Sequence, residues 1–247
     1  MKNCIRKLLY TLFVSLILLQ SVIAQKRIQL KENSIVKDSL GNTIPYVLWS
    51  QLIPTGRFNV IPNVKENNSF IMIRLSDEEY EKILTTMPKP TESDYFKTGS
   101  DFSHFKASDI EGYKINTKDL VGKTLVLNFW FINCPPCQIE IPDLHKLSKT
   151  YQTDSSVIFI AVALDQEYKI KDFIKTRPFD YRQISDGSFI TNAYGIIGYP
   201  TNVIVGPNGK VYFHSTGLGM NTVYWLKKSI EELKNKSEIK NLKIESK

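Results

Sequence analysis

The run Asn133-Cys134-Pro135-Pro136-Cys137 sets two thiols three positions apart in a chain of 247 residues. That spacing fits one helical turn, so the pair can close a disulfide and reopen it. The attacking species in such an exchange is the thiolate. Where Cys-x-x-Cys opens a helix, unpaired N–H groups and a partial positive charge favour thiolate over thiol. Cys134 is therefore expected at the helix start, its sulfur toward solvent, as the nucleophile. Cys137, one turn inside, is expected to be the resolving thiol of a redox-active disulfide. Pro135 and Pro136 form the active-site loop between them. Proline is tolerated in a first helical turn, where its absent N–H would have had no partner. Two in succession leave fewer N–H groups to stabilise a thiolate.

Other chemistries of a cysteine pair fit less well. A zinc site takes four ligands, usually a second Cys-x-x-Cys or paired histidines. The histidines here (His104, His145, His214) are isolated, and no metal or organic cofactor is expected. A thiol peroxidase would want Thr or Ser shortly before a lone cysteine, where this chain has Trp130, Phe131 and Ile132.

The third cysteine, Cys4, lies in a segment that reads as a signal peptide over residues 1–24. Lys2, Arg6 and Lys7 form a basic start, Leu8 to Leu19 is almost wholly apolar, and Val22-Ile23-Ala24 suits cleavage before Gln25. The apolar run is shorter than the roughly 20 residues that span a bilayer, so an uncleaved anchor is the lesser alternative. Cys4 precedes the apolar run, which argues against lipid attachment. Cleavage leaves Cys134 and Cys137 alone, closing a loop too short to constrain the unfolded chain much. Their value is then chemical. The formal charge of +7 falls to about +4 without the leader, and nothing in its distribution asks for nucleic acid.

Elements must position the pair. Residues 25–93 read as a small α+β region: strands over Ile28 to Val36 and Ile44 to Trp49 around a turn at Gly41-Asn42, then a strand over Phe70 to Leu75. Ser76 and Glu79 have the capping-box spacing ahead of a helix over Asp77 to Thr85. Met87 to Ser93 reads as a linker, and the aromatics of this region (Tyr46, Trp49, Phe58, Phe70) as core. Residues 94–247 carry a βαβ rhythm. Thr124 to Phe131 is a strand buried on both faces, and Pro135 to Tyr151 a helix with Leu144, Leu147 and Tyr151 on one side. Val157 to Leu164, Tyr168 to Thr176, and a hairpin of Thr201 to Val205 with Val211 to Ser215 follow. Asn208-Gly209 is expected to supply positive φ at the hairpin tip. A last helix, capped by Asn221, is expected to bury Val223, Leu226, Ile230 and Leu233 before a fraying Lys-rich tail.

These residues resemble the thioredoxin superfamily, and within it the TlpA/ResA-like extracytoplasmic thiol–disulfide oxidoreductases. The resemblance spans roughly Gly99 to Leu233. Leu127-Asn128-Phe129-Trp130 with Cys134-Pro135-Pro136-Cys137 is similar to that branch's active-site run, continued by Glu140 and a helix-kinking Pro142. Gly198-Tyr199-Pro200-Thr201 looks like its cis-proline loop, which implies that Tyr199 and Pro200 bind substrate. The stretch from Leu164-Asp165 to Asp186-Gly187 resembles the branch's inserted strand and helix. Asn128 stands where thioredoxins proper carry a buried Asp, so Glu140 becomes the candidate proton acceptor for Cys137. The alternative for Glu140 is an exposed side chain near the positive helix end. Asn133 replaces the usual Trp beside the nucleophile.

The resemblance implies an α/β thioredoxin-like fold, a central mixed sheet with flanking helices, preceded by the small N-terminal region. It implies an enzyme that reduces disulfides in extracytoplasmic proteins, with a membrane-embedded electron donor. Alternatives are an oxidase or isomerase on the same fold, or a non-catalytic envelope scaffold.

Overall fold

A computed structural model describes residues 29–245; the segment expected to be a signal peptide, residues 1–24, lies outside the described residues. The chain forms two compact units, one from the chain up to Trp49 with Asn59–Ile73, the other from Ser50–Phe58 and Arg74 onward.

The smaller unit carries β1 (Ile35–Lys37), β2 (Thr43–Ile44), β3 (Phe58–Pro62) and β4 (Ser69–Arg74) in the order β2-β1-β4-β3. β1 and β2 are antiparallel, β1 and β4 parallel. The turn at Gly41-Asn42 is present: Gly41 has φ 91°, and the Asp38 carboxylate accepts from the N–H groups of Leu40 and Asn42. Two expected strands are corrected. The first is confined to Ile35–Lys37, and Ile44 to Trp49 is a strand only to Ile44. Tyr46–Leu52 is a helix, α1, because Pro45 opens it, its carbonyl accepting from Leu48 and Trp49 N–H at 2.9 and 3.1 Å. Proline's fixed φ suits a helix start. Of the aromatics read as core in this region, Trp49 is buried but Tyr46 is exposed.

The larger unit begins with a helical turn at Ile53–Thr55 and with α2 (Asp77–Thr86). The Ser76/Glu79 capping box is formed in both directions. The linker of residues 87–93 has no regular structure but is tied down: Asn221 Nδ2 donates to Pro88 O, and Ser93 N–H to His214 Nδ1. A two-stranded ribbon, β5 (Lys106–Ser108) and β6 (Lys114–Asn116), precedes the main sheet. That sheet consists of β7 (Thr124–Trp130), β8 (Val157–Ala163), β9 (Arg182–Ile184), β10 (Thr201–Val205) and β11 (Val211–Thr216), in the order β11-β10-β7-β8-β9. β7, β8 and β9 run parallel, whereas β10 lies antiparallel to β7 and to β11. The connecting helices are α3 (Pro135–Thr150), α4 (Glu167–Thr176), α5 (Ser188–Tyr194) and α6 (Thr222–Glu245).

Every residue of β7 is buried, as an apolar run with helices on both faces should be. Its alternating side chains feed two cores. Val126 and Trp130 pack with Leu144, Leu147, Ile170, Leu226 and Ile230, while Leu125, Leu127 and Phe129 pack with Ile160, Ile190 and Val203. The β10–β11 loop differs from a two-residue hairpin. Gly209 N–H closes a turn on Gly206 O at 2.9 Å, and only Gly209 has positive φ (74°), Asn208 instead accepting from Lys210 N–H. Asn221 precedes α6 but spends its side chain on Pro88, and Val223 is only half-buried. The helix runs on through the Lys-rich stretch to Glu245 rather than fraying at Lys234.

Candidate active site

Cys134 is the residue before α3, at the point where β7 ends and a three-residue loop turns the chain. Two contacts fix that loop. Ile132 N–H donates to the Asp165 carboxylate at 2.7 Å, and Gln138 Nε2 donates back to Ile132 O. Pro135 and Pro136 occupy the first two helical positions, so the first free N–H of the helix belongs to Cys137. It points at Cys134 Sγ, 3.2 Å away. The cysteines are joined as a disulfide. Contrary to the expected solvent-facing sulfur, Cys134 is only 2% exposed and Cys137 1%. Both belong to an apolar cluster that includes Trp130, Ile141, Phe131, Ile132 and Tyr199.

The Tyr199–Pro200 peptide is cis. Pro200 is buried, and the Tyr199 ring is half-buried, edge-on to Phe131 with centroids 5.4 Å apart. Asn133 is exposed.

Glu140 lies one turn beyond Cys137, and positions i and i+3 of a helix are neighbours on its surface. It is buried (4% exposed), which corrects the alternative of an exposed helix residue: this side of α3 faces the sheet. Asn128 Nδ2 donates to its Oε1 at 2.9 Å, and Asn202 Nδ2 donates to Oε1 and Oε2 at 3.1 and 3.3 Å. Asn128 and Asn202 face each other across β7 and β10, with Asn128 Nδ2 also donating to Asn202 Oδ1 at 2.9 Å. Burial pushes the Glu140 carboxyl up to about 8, and the donors from Asn202 and Asn128 oppose it. A carboxyl whose ionisation is raised toward the neutral range can act as a general acid or base.

Residues 98–214 match the AhpC/TSA family. The chain is 32% identical over 122 residues to the thiol–disulfide oxidoreductase ResA of Bacillus thuringiensis subsp. konkukian, covering 49% of this chain and 70% of that one. The ResA of Halalkalibacterium halodurans is 30% identical over 122 residues, covering 49% and 69%. The chain belongs to this thioredoxin-fold family. It is a thiol–disulfide oxidoreductase. A putative thiol:disulfide interchange protein DsbE from Chlorobium tepidum shares the fold, with a TM-score of 0.51 and 22% identity over 56% of this chain and 98% of that one.

In this oxidoreductase the sequence-derived residues Cys134, Pro135, Pro136, Cys137 and Glu140 are brought together by the start of α3. Tyr199 joins the same apolar cluster as the cysteines, and Pro200 follows it directly. Sequence reasoning missed Asn202 and Asp165 as parts of the site. Asn202 carries a visible signal, a carboxamide inside the apolar run Thr201-Asn202-Val203-Ile204-Val205. A polar side chain at a fully buried strand position needs partners, and only the register across the sheet says which.

Proposed function

We propose that this oxidoreductase reduces disulfides of extracytoplasmic proteins, with Cys134 as nucleophile and Cys137 as resolving thiol. The observation that carries the reading is the Cys134–Cys137 disulfide at a helix start, with the Cys137 N–H on Cys134 Sγ and Glu140 buried one turn on. In the reduced enzyme, the Cys134 thiolate attacks one sulfur of a substrate disulfide. A mixed disulfide forms, and the other substrate sulfur leaves as a thiolate. Cys137 gives its proton to the Glu140 carboxylate, and its thiolate attacks Cys134 Sγ. The enzyme disulfide closes, and the second substrate sulfur is released. Two electrons pass from enzyme dithiol to substrate, and a membrane-embedded donor restores the dithiol. In this reading Tyr199 and Pro200 border the substrate chain. The apolar leader of residues 1–24 supports export; among the described residues no helix is long and apolar enough to cross a membrane.

Trapping tests the reading. Cys137→Ser keeps the nucleophile but removes the resolving thiol, so the variant is expected to accumulate disulfide-linked adducts with exported proteins, visible on non-reducing gels and released by dithiothreitol. Cys134→Ser is expected to trap none. Equal trapping by both, or by neither, would reverse or remove the assigned roles.

A further inference from the structure

We propose that Asn202, acting with Asn128, is a positioning residue of the exchange reaction: the two carboxamides form a clamp, built across β7 and β10, that favours the ionised form of Glu140 against its burial and holds it in place to accept the Cys137 proton. The inference rests on the reading of Glu140 as proton acceptor and identifies the groups that make it one.

The hydrogen-bond pattern is directional. All three contacts to Glu140 come from amide hydrogens, two from Asn202 and one from Asn128. A carboxylate only accepts, so this arrangement complements its ionised form. The clamp is also maintained at a cost. Asn128 spends both amide hydrogens, on Glu140 and on Asn202, and leaves its Oδ1 buried without a partner. Turning that carboxamide over would set its oxygen against Glu140 Oε1 and Asn202 Oδ1, three acceptors together. A buried unpartnered acceptor normally calls for an explanation, and here the double donation supplies one.

Register makes the clamp possible. Asn128 and Asn202 are directly paired on antiparallel neighbours, so their side chains leave the same face of the sheet. Both are at most 1% exposed, so water does not compete for their donors. Among the described residues Tyr181 is also linked electrostatically to Glu140; burial and Glu140 together hold its phenol well above the ordinary value, so it stays neutral. Cys137 lies on the same helix, one turn before Glu140. Asn202 opposes the effect of burial on Glu140 more than Asn128 does. Losing its donors should leave the carboxyl protonated, and useless as a base, to higher pH.

The experiment uses the full mature chain. The Glu140 carboxyl is titrated by carbon-13 NMR, and the single-turnover closure of Cys137 onto a mixed disulfide at Cys134 is followed against pH. Asn202→Leu, close in shape but without donors, is expected to move both transitions alkaline by about one pH unit, a roughly tenfold slower closure near pH 6. Asn202→Asp, which sets a second acceptor on Glu140, is expected to move them further. In the unaltered protein the Asn202 amide protons should shift at the same pH as the Glu140 carboxyl and stay flat in Glu140→Gln; this arm needs no variant of either asparagine. Unmoved transitions in Asn202→Leu, or amide protons blind to Glu140, would overturn the clamp. If Glu140→Gln leaves closure unchanged while the amide coupling persists, the proton-acceptor reading fails instead. If Glu140→Gln slows closure and Asn202→Leu does not, only the clamp fails.

Discussion

In the proposed mechanism Glu140 meets two opposed demands, as a buried carboxyl and as a base that must ionise. Burial alone favours the neutral acid, and the amides of Asn202 and Asn128 pull the other way, leaving the group at about 8 against an ordinary 4.5. The shift has a consequence for stability, and its sign is fixed. Between 4.5 and about 8 the folded protein keeps a proton that the unfolded chain has released. Stability contributed by this group is therefore complete below the lower value and is lost as pH rises through the upper one. The slope approaches about 1.4 kcal/mol per pH unit at most. Urea denaturation of the oxidised protein at successive pH values is expected to show this decline, and Glu140→Gln to flatten it. A variant curve parallel to the unaltered one would mean that Glu140 is not held neutral by burial.

At the scale of elements, the junction of β7 and α3 does the positioning. The strand delivers Cys134 to the helix start, and Asp165, from the loop after β8, pins the turn through Ile132. Prolines at the first two helical positions leave the Cys137 N–H as the nearest backbone donor for Cys134 Sγ. Fewer donors stabilise a thiolate less, so the dithiol form gains less and the disulfide is harder to reduce. The reduction potential against glutathione is accordingly expected near the reducing end of the roughly −270 to −120 mV range of related folds. Pro136→Ala restores an N–H and is expected to move it toward the oxidising end. A potential already near −120 mV would reverse the reductase assignment. The sequence announced this junction well, because a both-faces-buried strand, a Cys-x-x-Cys and first-turn prolines are all local signals. Local signals misled at Ile44 to Trp49, where apolar residues resembled a strand but Pro45 turned the chain into α1.

For the whole molecule, the five-stranded sheet of the larger unit separates two cores, and the start of α3 carries the Cys134–Cys137 disulfide on one of them. Cys134, Cys137, Ile141 and Leu144 belong to the same cluster, so chemistry and packing share one helix. Leu144 is fully buried, and Leu144→Ala is expected to cost about 2–5 kcal/mol in urea unfolding of the oxidised protein. Thiol exchange without denaturant should survive, because the change leaves both sulfurs and the Glu140 clamp in place. A cost below about 1 kcal/mol would mean that the site collapses onto the void.

Sequence by itself determined the cysteine pair and the strand and helix that present it, because these follow from neighbours a few residues apart. The Tyr199–Pro200 loop and Glu140 as candidate proton acceptor came from the family resemblance, with an exposed Glu140 left open. Tertiary structure decided what those neighbours could not. Cys134 is buried, because it belongs to one apolar cluster with residues from β7, α3 and the cis-proline loop. Glu140 is buried rather than exposed, because its side of α3 packs on the sheet. Asn202 reaches Glu140 from 62 positions away, through a strand register that no local spacing encodes. Burial and long-range pairing are properties of the assembled sheet, and they surround the carboxyl one turn from Cys137 with amide donors that no local spacing announces.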